Sequence, residues 1–235
     1  MYHFFGILFL YVFISASVVY PDNYWLRQQS PTTKWLYKCH FTDSLYGWAA
    51  GDSGIIIHTS NGGGIWTIQN STINYFIEDL FFLNRRLGWA IANDFFYFGT
   101  TILKTTNGGM NWNFSRYPDT TLVLNTIYFL DSLNGWMGGF EGVILRTTNG
   151  GVNWGFRTVD STFCSFFPVR QFAFYLNSVR AFACGGYFDV SGVIWRTTNS
   201  GLFWMGECVS FEPINDIIFL DSLRAIGVGG DFEYG

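Results

Sequence analysis

An eight-residue motif that occurs four times constrains the fold of this chain more than any other feature. Each copy follows the pattern Thr-x-Asn-x-Gly-x-x-Trp, and the copies begin at Thr59, Thr105, Thr147 and Thr197. An Asn that bonds to nearby backbone groups, a Gly that accepts positive φ and a Thr hydroxyl together predict a tight turn between two strands. The Trp is expected to lie back over the hairpin as an apolar lid. The predicted turn residues are Asn61, Gly63, Trp66, Asn107, Gly109, Trp112, Asn149, Gly151, Trp154, Asn199, Gly201 and Trp204.

A second repeated element precedes each turn. It ends in Gly-Trp at Trp48, Trp89 and Trp136, and two weaker copies end in Phe182 and Ile226. Both elements recur roughly every 45 residues, a period typical of a propeller or solenoid array. The predicted repeats lie near residues 36–70, 76–116, 125–158, 171–208 and 214–235.

Each repeat contains four short segments rich in aromatic and β-branched residues and bounded by Gly, Asn, Asp or Ser, which predicts four strands. In the third repeat the predicted strands are Asn125–Leu130, Gly135–Gly139, Val143–Thr147 and Asn153–Thr158. No stretch has sustained helical periodicity, so a helical solenoid is excluded. The sequence therefore predicts an all-β fold, a β-propeller of four-stranded antiparallel blades.

The two ends of the chain suggest how the ring closes. The segment Tyr24–Gln28 resembles a fourth strand such as Ile65–Gln69, whereas the last repeat stops after two strands. We expect the N-terminal strand to complete the last blade, because such closure hides open sheet edges. The expected propeller spans residues 22–235, is truncated at the C-terminus, and contains about four and a half blades of a total of seven. The full-length ring is expected to be monomeric.

Composition limits the function classes. With 49% hydrophobic and 13% charged residues, the chain can bury a sizeable core. Its formal charge of −4, without any run of Lys or Arg, argues against nucleic-acid binding. The apolar run Phe4–Val19 and the small residues Ser15, Ala16 and Ser17 near its end predict a signal peptide over residues 1–20, with an uncleaved signal-anchor as the alternative. The propeller is therefore expected outside the cytoplasm, in a periplasm or lumen or as a secreted protein.

Four cysteines bear on metal binding and redox state. Cys39, Cys164, Cys184 and Cys208 form no C-x-x-C pair, so a zinc site is not expected. Free, buried cysteines are the favoured interpretation, and one or two disulfides are the alternative. We predict no catalytic residue, metal or cofactor.

The repeated motifs carry a family resemblance. The turns resemble Asp-boxes, also called BNR repeats, and together with Leu133–Gly139 they resemble the photosystem II stability and assembly factor family, the YCF48/HCF136-like propellers. The similarity covers nearly all of residues 22–235, although Asn stands where the box often has Asp, and the fourth copy contains Ser200. The resemblance implies a seven-bladed, non-enzymatic, extracytoplasmic scaffold that helps to assemble a membrane-protein complex in photosynthesis.

Two other functions stay open at this point. Asp-boxes also occur in sialidases and other glycosidases, which need a set of arginines and a pair of carboxyl groups. Phe167–Arg170 does not match the expected arginine motif, and Glu78, Asp79 and Asp216 lie in predicted first strands without a partner motif. A cell-surface adhesion or sorting module is the third hypothesis.

Two sets of residues are candidates for binding a protein partner. The residue before each turn is basic or potentially basic, and equivalent positions in successive blades should form an arc that could meet an acidic segment of a partner. The alternative is that these side chains cover apolar blade surface. A second candidate is the aromatic insertion between second and third strands, with a similar loop at Tyr187–Ser191. The candidate residues are His58, Lys104, Arg146, Arg196, Phe95, Phe96 and Tyr97.

Overall fold

The computed structural model describes residues 27–94, 99–160, 163–175, 179–221 and 224–230. Blade I contains β1 (Leu36–Phe41), β2 (Gly47–Gly51), β3 (Ile56–Thr59) and β4 (Thr67–Gln69). Blade II contains β5 (Phe76–Phe82), β6 (Gly88–Asn93), β7 (Thr100–Thr105) and β8 (Asn113–Arg116). Blade III contains β9 (Leu124–Phe129), β10 (Gly135–Gly139), β11 (Ile144–Thr147) and β12 (Gly155–Phe156).

Blade IV differs from the first three because it gains a fifth strand. Its antiparallel strands are β14 (Val169–Phe174), β15 (Ala181–Tyr187), β16 (Ser191–Thr197) and β17 (Phe203–Ser210). The short strand β13 (Thr158–Val159), which comes before them in sequence, pairs in parallel with the outer strand β17. The predicted last strand of the third repeat is thus divided: β12 stays in blade III, and β13 covers the edge of blade IV. Blade V is described by two strands, β18 (Ile214–Phe219) and β19 (Ala225–Gly229).

The blades are arranged around a common axis. The first strands β1, β5, β9, β14 and β18 contact one another in succession, so they form the inner wall of a central channel. Each complete blade then runs outward as an antiparallel meander. The all-β, β-propeller fold predicted from the sequence is confirmed. Turns that join first to second and third to fourth strands lie on one side of the ring, here named the turn side; the second-to-third connections lie on the opposite, loop side.

The four repeated turns share one hydrogen-bond pattern. In blade III, the Thr147 hydroxyl donates to Asn149 Oδ1 at 2.9 Å and accepts the Gly151 N–H at 3.0 Å. Asn149 Oδ1 also accepts the Asn153 N–H at 2.9 Å. Two consecutive residues adopt positive φ in each turn, and in the fourth turn Ser200 takes this conformation at φ 61°. The same bonds recur in the other three copies.

Aromatic stacking joins neighbouring blades. The buried Trp of each Gly-Trp strand packs on a Phe that ends the first strand of the next blade: Trp48 lies 3.7 Å from Phe82 between ring centroids, and Trp89 lies 3.5 Å from Phe129. The same Phe also meets the turn Trp of its own blade edge-on: Phe82 contacts Trp112 in blade II, and Phe129 contacts Trp154 in blade III. The two stacked pairs are nearly parallel, at 8° and 5° between ring planes, and the two edge-on pairs have a geometry that aromatic rings favour. The repeated aromatic positions therefore form the core between blades.

The prediction that the cysteines are free is wrong for one pair. Cys164, in a 3-10 turn at Phe163–Phe166, forms a disulfide with Cys208 of β17, whereas Cys39 and Cys184 are free. The two bonded residues are 44 positions apart and meet only because β13 and the following turn fold back over β17. Spacing in the sequence could not reveal this contact.

Some sequence predictions concern residues that the structure does not describe. The predicted signal segment at residues 1–20, residues 24–26 of the predicted strand Tyr24–Gln28, and the aromatic side chains Phe95, Phe96 and Tyr97 lie outside the described residues. Within the described part of the chain, no helix is long and apolar enough to cross a membrane.

Candidate functional site

A β-bulge in the first strand of every blade shapes the channel. The antiparallel register between first and second strands shifts by one residue at the same place in blades I to V. A bulge turns a side chain out of the regular alternation of a strand. The bulged residues are Tyr37, Glu78, Asn125, Arg170 and Asn215, and they lie towards the loop side of the channel.

The residue after each bulge belongs to a polar ring inside the channel. Its members are Lys38, Asp79, Thr126, Gln171 and Asp216. Buried Asp79 is the centre of this ring: its carboxylate lies 3.5 Å from Lys38 Nζ and accepts the Thr126 hydroxyl at 2.9 Å. Attraction to Asp79 raises the pKa of Lys38, although burial acts against it. Lys38 and Thr126 also donate to Gln171 Oε1 at 3.2 and 3.3 Å, so the ring connects blades I to IV by polar bonds.

Four of the five bulged residues, all except Tyr37, line a cavity of about 310 Å³ at the loop-side mouth of the channel. Phe140 and Tyr187 form part of its rim and are 42% and 39% exposed. We name this cavity the channel mouth; its lining residues are Glu78, Asn125, Phe140, Pro168, Arg170, Tyr187 and Asn215. A cavity of this size fits a side chain or a short stretch of extended chain rather than a folded domain.

Arg170 is the cation of the channel mouth. Its Nε donates to the Gly186 carbonyl at 3.3 Å, its Nη1 donates to Asn215 Oδ1 at 3.2 Å, and the guanidinium lies 4.9 Å from the centroid of Phe188. None of the ion pairs between described residues includes Arg170. Burial lowers the pKa of Arg170 from its ordinary value. A half-buried guanidinium whose contact partners Gly186, Asn215 and Phe188 are neutral favours an anionic ligand, since charge-assisted pairs with carboxylates are strong.

Glu78 lies in the same mouth, on blade II. Burial raises its pKa to about 7, against a hydrogen bond with Asn93 that lowers it, and the neighbouring Asp79 raises it further. The side chain therefore changes charge near neutral pH. A negative Glu78 opposes an incoming anion, so the mouth accepts anions best when Glu78 is protonated.

A larger cavity of about 390 Å³ follows the channel wall from the polar ring towards the turn side. It is lined by all members of the polar ring except Thr126, and by aromatic and aliphatic residues of the first strands, among them His40, Phe81 and Tyr128. Burial lowers the pKa of His40. In the described residues, no group of three His, Cys, Asp or Glu side chains is placed to hold a metal ion.

The four predicted basic residues, His58, Lys104, Arg146 and Arg196, do occupy equivalent positions in successive blades. Their side chains differ in how many contacts they make with the rest of the protein. Lys104 donates to the Gly150 carbonyl of the next blade at 2.8 Å and lies 5.5 Å from the Trp89 ring centroid. Arg146 lies 5.3 Å from the Trp136 centroid, and its Nη2 donates to Asn134 Oδ1 at 3.2 Å.

The other two residues of the arc contrast with each other. The half-buried His58 packs on Trp48 at 4.9 Å between ring centroids, and burial lowers its pKa. Arg196 is exposed. Packing on a Trp is thus the shared geometry of His58, Lys104 and Arg146, and Arg196 alone of the four is open to solvent. That these residues bind a partner stays a prediction.

The channel mouth contains residues that sequence reasoning missed. In the sequence, Arg170 stands out only as part of an unmatched arginine motif, and no motif marks Asn125 or Asn215 as site residues. The one available signal was positional: each lies one residue before the polar-ring position of its repeat. The predicted loop Tyr187–Ser191 does reach the site, since Tyr187 lines the mouth and Phe188 packs under Arg170.

Together these features define a β-propeller with a polar channel whose mouth can take an anionic group. The sequence matches no protein-family model and no curated protein. Solved structures similar to this chain include "YCF48 bound to D1 peptide", at 22% identity and a TM-score of 0.63, where the match covers 85% of this chain and 62% of that one. This chain thus spans less than two thirds of that protein's length.

Two further structures show the same architecture. YCF48 from Cyanidioschyzon merolae is 17% identical with a TM-score of 0.52, and the match covers 86% of this chain and 81% of that one. The GH74 enzyme of Niastella koreensis is 15% identical with a TM-score of 0.60, over 80% of this chain and 34% of that one. At these identities the similarity establishes the propeller fold.

Proposed function

We propose that this chain is a non-enzymatic, extracytoplasmic scaffold that holds an acidic segment of a protein partner at the channel mouth and helps to assemble a membrane-protein complex. The observation that carries the proposal is Arg170, a half-buried guanidinium that is held in place by Gly186 and Asn215 and has no ion-pair partner among the described residues. A carboxylate from outside would complete its hydrogen bonds.

The size and lining of the mouth support an extended segment as the ligand. The cavity of about 310 Å³ admits one or two side chains. Asn125 and Asn215 offer amide donors and acceptors for a peptide backbone, while Phe140 and Tyr187 provide apolar contacts at the rim. The similar YCF48 structure holds a peptide of a protein named D1, which agrees with a peptide-binding propeller.

The disulfide supports a location outside the cytoplasm. Cys164 and Cys208 are bonded, and disulfides form and persist mainly in oxidising compartments. The predicted signal segment at residues 1–20 points the same way.

The test is binding of labelled peptides, measured by fluorescence anisotropy at pH 6. An extended peptide that contains Asp and Glu is compared with its Asn and Gln counterpart. We expect the acidic peptide to bind, and Arg170→Gln to weaken it about tenfold or more, because hydrogen bonds to charged groups contribute about 1.5–3 kcal/mol. The matched control is Lys34→Gln, which removes an exposed positive charge that does not line the mouth. Equal affinity for both peptides, or unchanged affinity in Arg170→Gln, refutes the proposal.

Glycoside hydrolysis is the second candidate function. The fold similarity to a GH74 enzyme and the pKa of Glu78 at about 7 favour it, since a general acid must hold its proton near neutral pH. A second carboxylate is needed nearby, and Asp79 is already engaged by Lys38 and Thr126. Release of reducing sugar from a polysaccharide panel, abolished by Glu78→Gln, would replace the scaffold proposal with this one.

A further inference from the structure

On the turn side, the tips of two turns are fixed next to each other in every complete blade. A backbone N–H of the Thr-x-Asn turn donates to a carbonyl of the first-to-second-strand turn: Gly62 to Leu45 at 2.9 Å, Gly108 to Arg86 at 2.8 Å, Gly150 to Leu133 at 2.9 Å and Ser200 to Val179 at 3.1 Å. The tips therefore have the same relative position in blade after blade. Whatever side chains they carry are presented repeatedly around the arc.

Most of these tips carry exposed aliphatic side chains. Met110 and Val152 are each 74% exposed, and Leu133 is 55% exposed. Hairpin tips are usually polar, and these residues take no part in the described core clusters. Each complete blade contributes at least one aliphatic tip. The set, here named the aliphatic tips, is Leu45, Ile65, Met110, Leu133, Val152, Val179 and Leu202.

Unpaired arginines accompany the aliphatic tips. Arg86 and Arg180 lie in first-to-second-strand turns, and Arg196 lies just before the fourth Thr-x-Asn turn; all three are exposed. None of them takes part in the ion pairs between described residues. The described turn side carries seven cations, Arg85, Arg86, Lys104, Arg146, Arg180, Arg196 and Arg224, against three carboxylates, Asp43, Asp131 and Asp221. This side is basic although the whole chain has a formal charge of −4.

We propose that the turn side docks on an anionic lipid surface, with the aliphatic tips in the headgroup boundary and Arg86, Arg180 and Arg196 at lipid phosphates. Separate, protruding aliphatic side chains between arginines match such a surface, because the tips insert singly while the cations stay in the phosphate layer. A protein interface would instead centre on packed aromatic anchors. The channel mouth opens on the loop side, so docking leaves it free.

Flotation of the full chain with vesicles tests the inference. Vesicles of phosphatidylcholine are compared with vesicles of equal parts phosphatidylcholine and phosphatidylglycerol, in low and high salt. We expect preferential binding to the anionic vesicles that weakens with salt. The variant R86Q/R180Q/R196Q should lose this preference, by roughly fivefold for each arginine, and M110S/V152S/L202S should bind less to the same vesicles.

Controls separate this surface from the rest of the chain. Residues 4–19 are common to all variants, so any lipid contact they make cancels in the comparison. The matched controls change exposed residues of the loop side, Lys34→Gln for charge and Val190→Ser for apolar area, and should bind like the parent. Thermal melting checks that every variant is folded. Absence of an anionic preference, or a preference retained by the folded triple-arginine variant, overturns the inference. Turn-side binding of an acidic peptide without vesicle binding overturns it as well.

Discussion

Replacing Glu78 by Gln should change how the stability of the propeller depends on pH. Gln has nearly the same shape and keeps a hydrogen-bonding group towards Asn93, but it does not ionise. In the folded protein the pKa of Glu78 is raised from 4.5 to about 7, chiefly by burial. The folded state therefore holds this proton more tightly than the unfolded state does.

Proton linkage gives the sign and size of the effect of Glu78 on the free energy of unfolding. A raised carboxyl pKa means that the free energy of unfolding is highest below pH 4.5 and falls as pH rises towards 7, beyond which it is constant. One pKa unit corresponds to about 1.4 kcal/mol, so Glu78 lowers the stability by about 3 kcal/mol at pH 8 relative to pH 4. The free energy of unfolding of Glu78→Gln should equal that of the parent at pH 4 and exceed it by about 3 kcal/mol at pH 8.

Urea denaturation at pH 4, 6 and 8 measures this difference directly, and an NMR titration of the Glu78 side-chain carboxyl gives the pKa. Glu141→Gln is the matched control, because it removes an exposed carboxylate on the same side of the ring. A stability difference between parent and Glu78→Gln that is constant with pH would refute the argument. So would a titration midpoint near 4.5, since the mouth would then hold a permanent negative charge at neutral pH.

Two further predictions concern the framework. Breaking the disulfide in C164S/C208S should lower the free energy of unfolding by about 4 kcal/mol, the loop-closure value for a separation of 44 residues. Urea titrations measure this difference, with Cys39→Ser as the control because Cys39 is a free cysteine. Equal stability of the parent and the double variant would show that β13 is held by its backbone pairing alone. Asn149→Ala should lower the free energy of unfolding by about 1–3 kcal/mol, because the Asn153 N–H and the Thr147 hydroxyl lose their acceptor. The control Thr148→Ala changes an exposed residue of the same turn and should leave the stability nearly unchanged. Equal decreases in the melting temperatures of the two variants would contradict the role assigned to Asn149.

The arc of basic residues formed by His58, Lys104, Arg146 and Arg196 shows what the local sequence pattern predicts and what depends on the tertiary structure. Recurrence of a basic or potentially basic residue before each turn correctly predicts equivalent positions around the ring. It does not predict that Lys104 bonds to Gly150 of the next blade or that Arg146 stacks on Trp136, because both contacts depend on how neighbouring blades pack. Exposure of Arg196 likewise depends on its surroundings and not on its place in the repeat.

The sequence by itself determined the repeating unit, the four strands of a blade and the turn chemistry, because these depend on residues close together in the chain. Thr147, Asn149 and Gly151 form their turn bonds within a few positions of one another. Only the tertiary structure decided the channel mouth, the polar ring and the disulfide. Arg170 and Asn215, or Asp79 and Thr126, are more than 40 positions apart and meet because one bulge per blade turns equivalent residues towards a common axis. Such a site is a property of the ring and not of any single repeat.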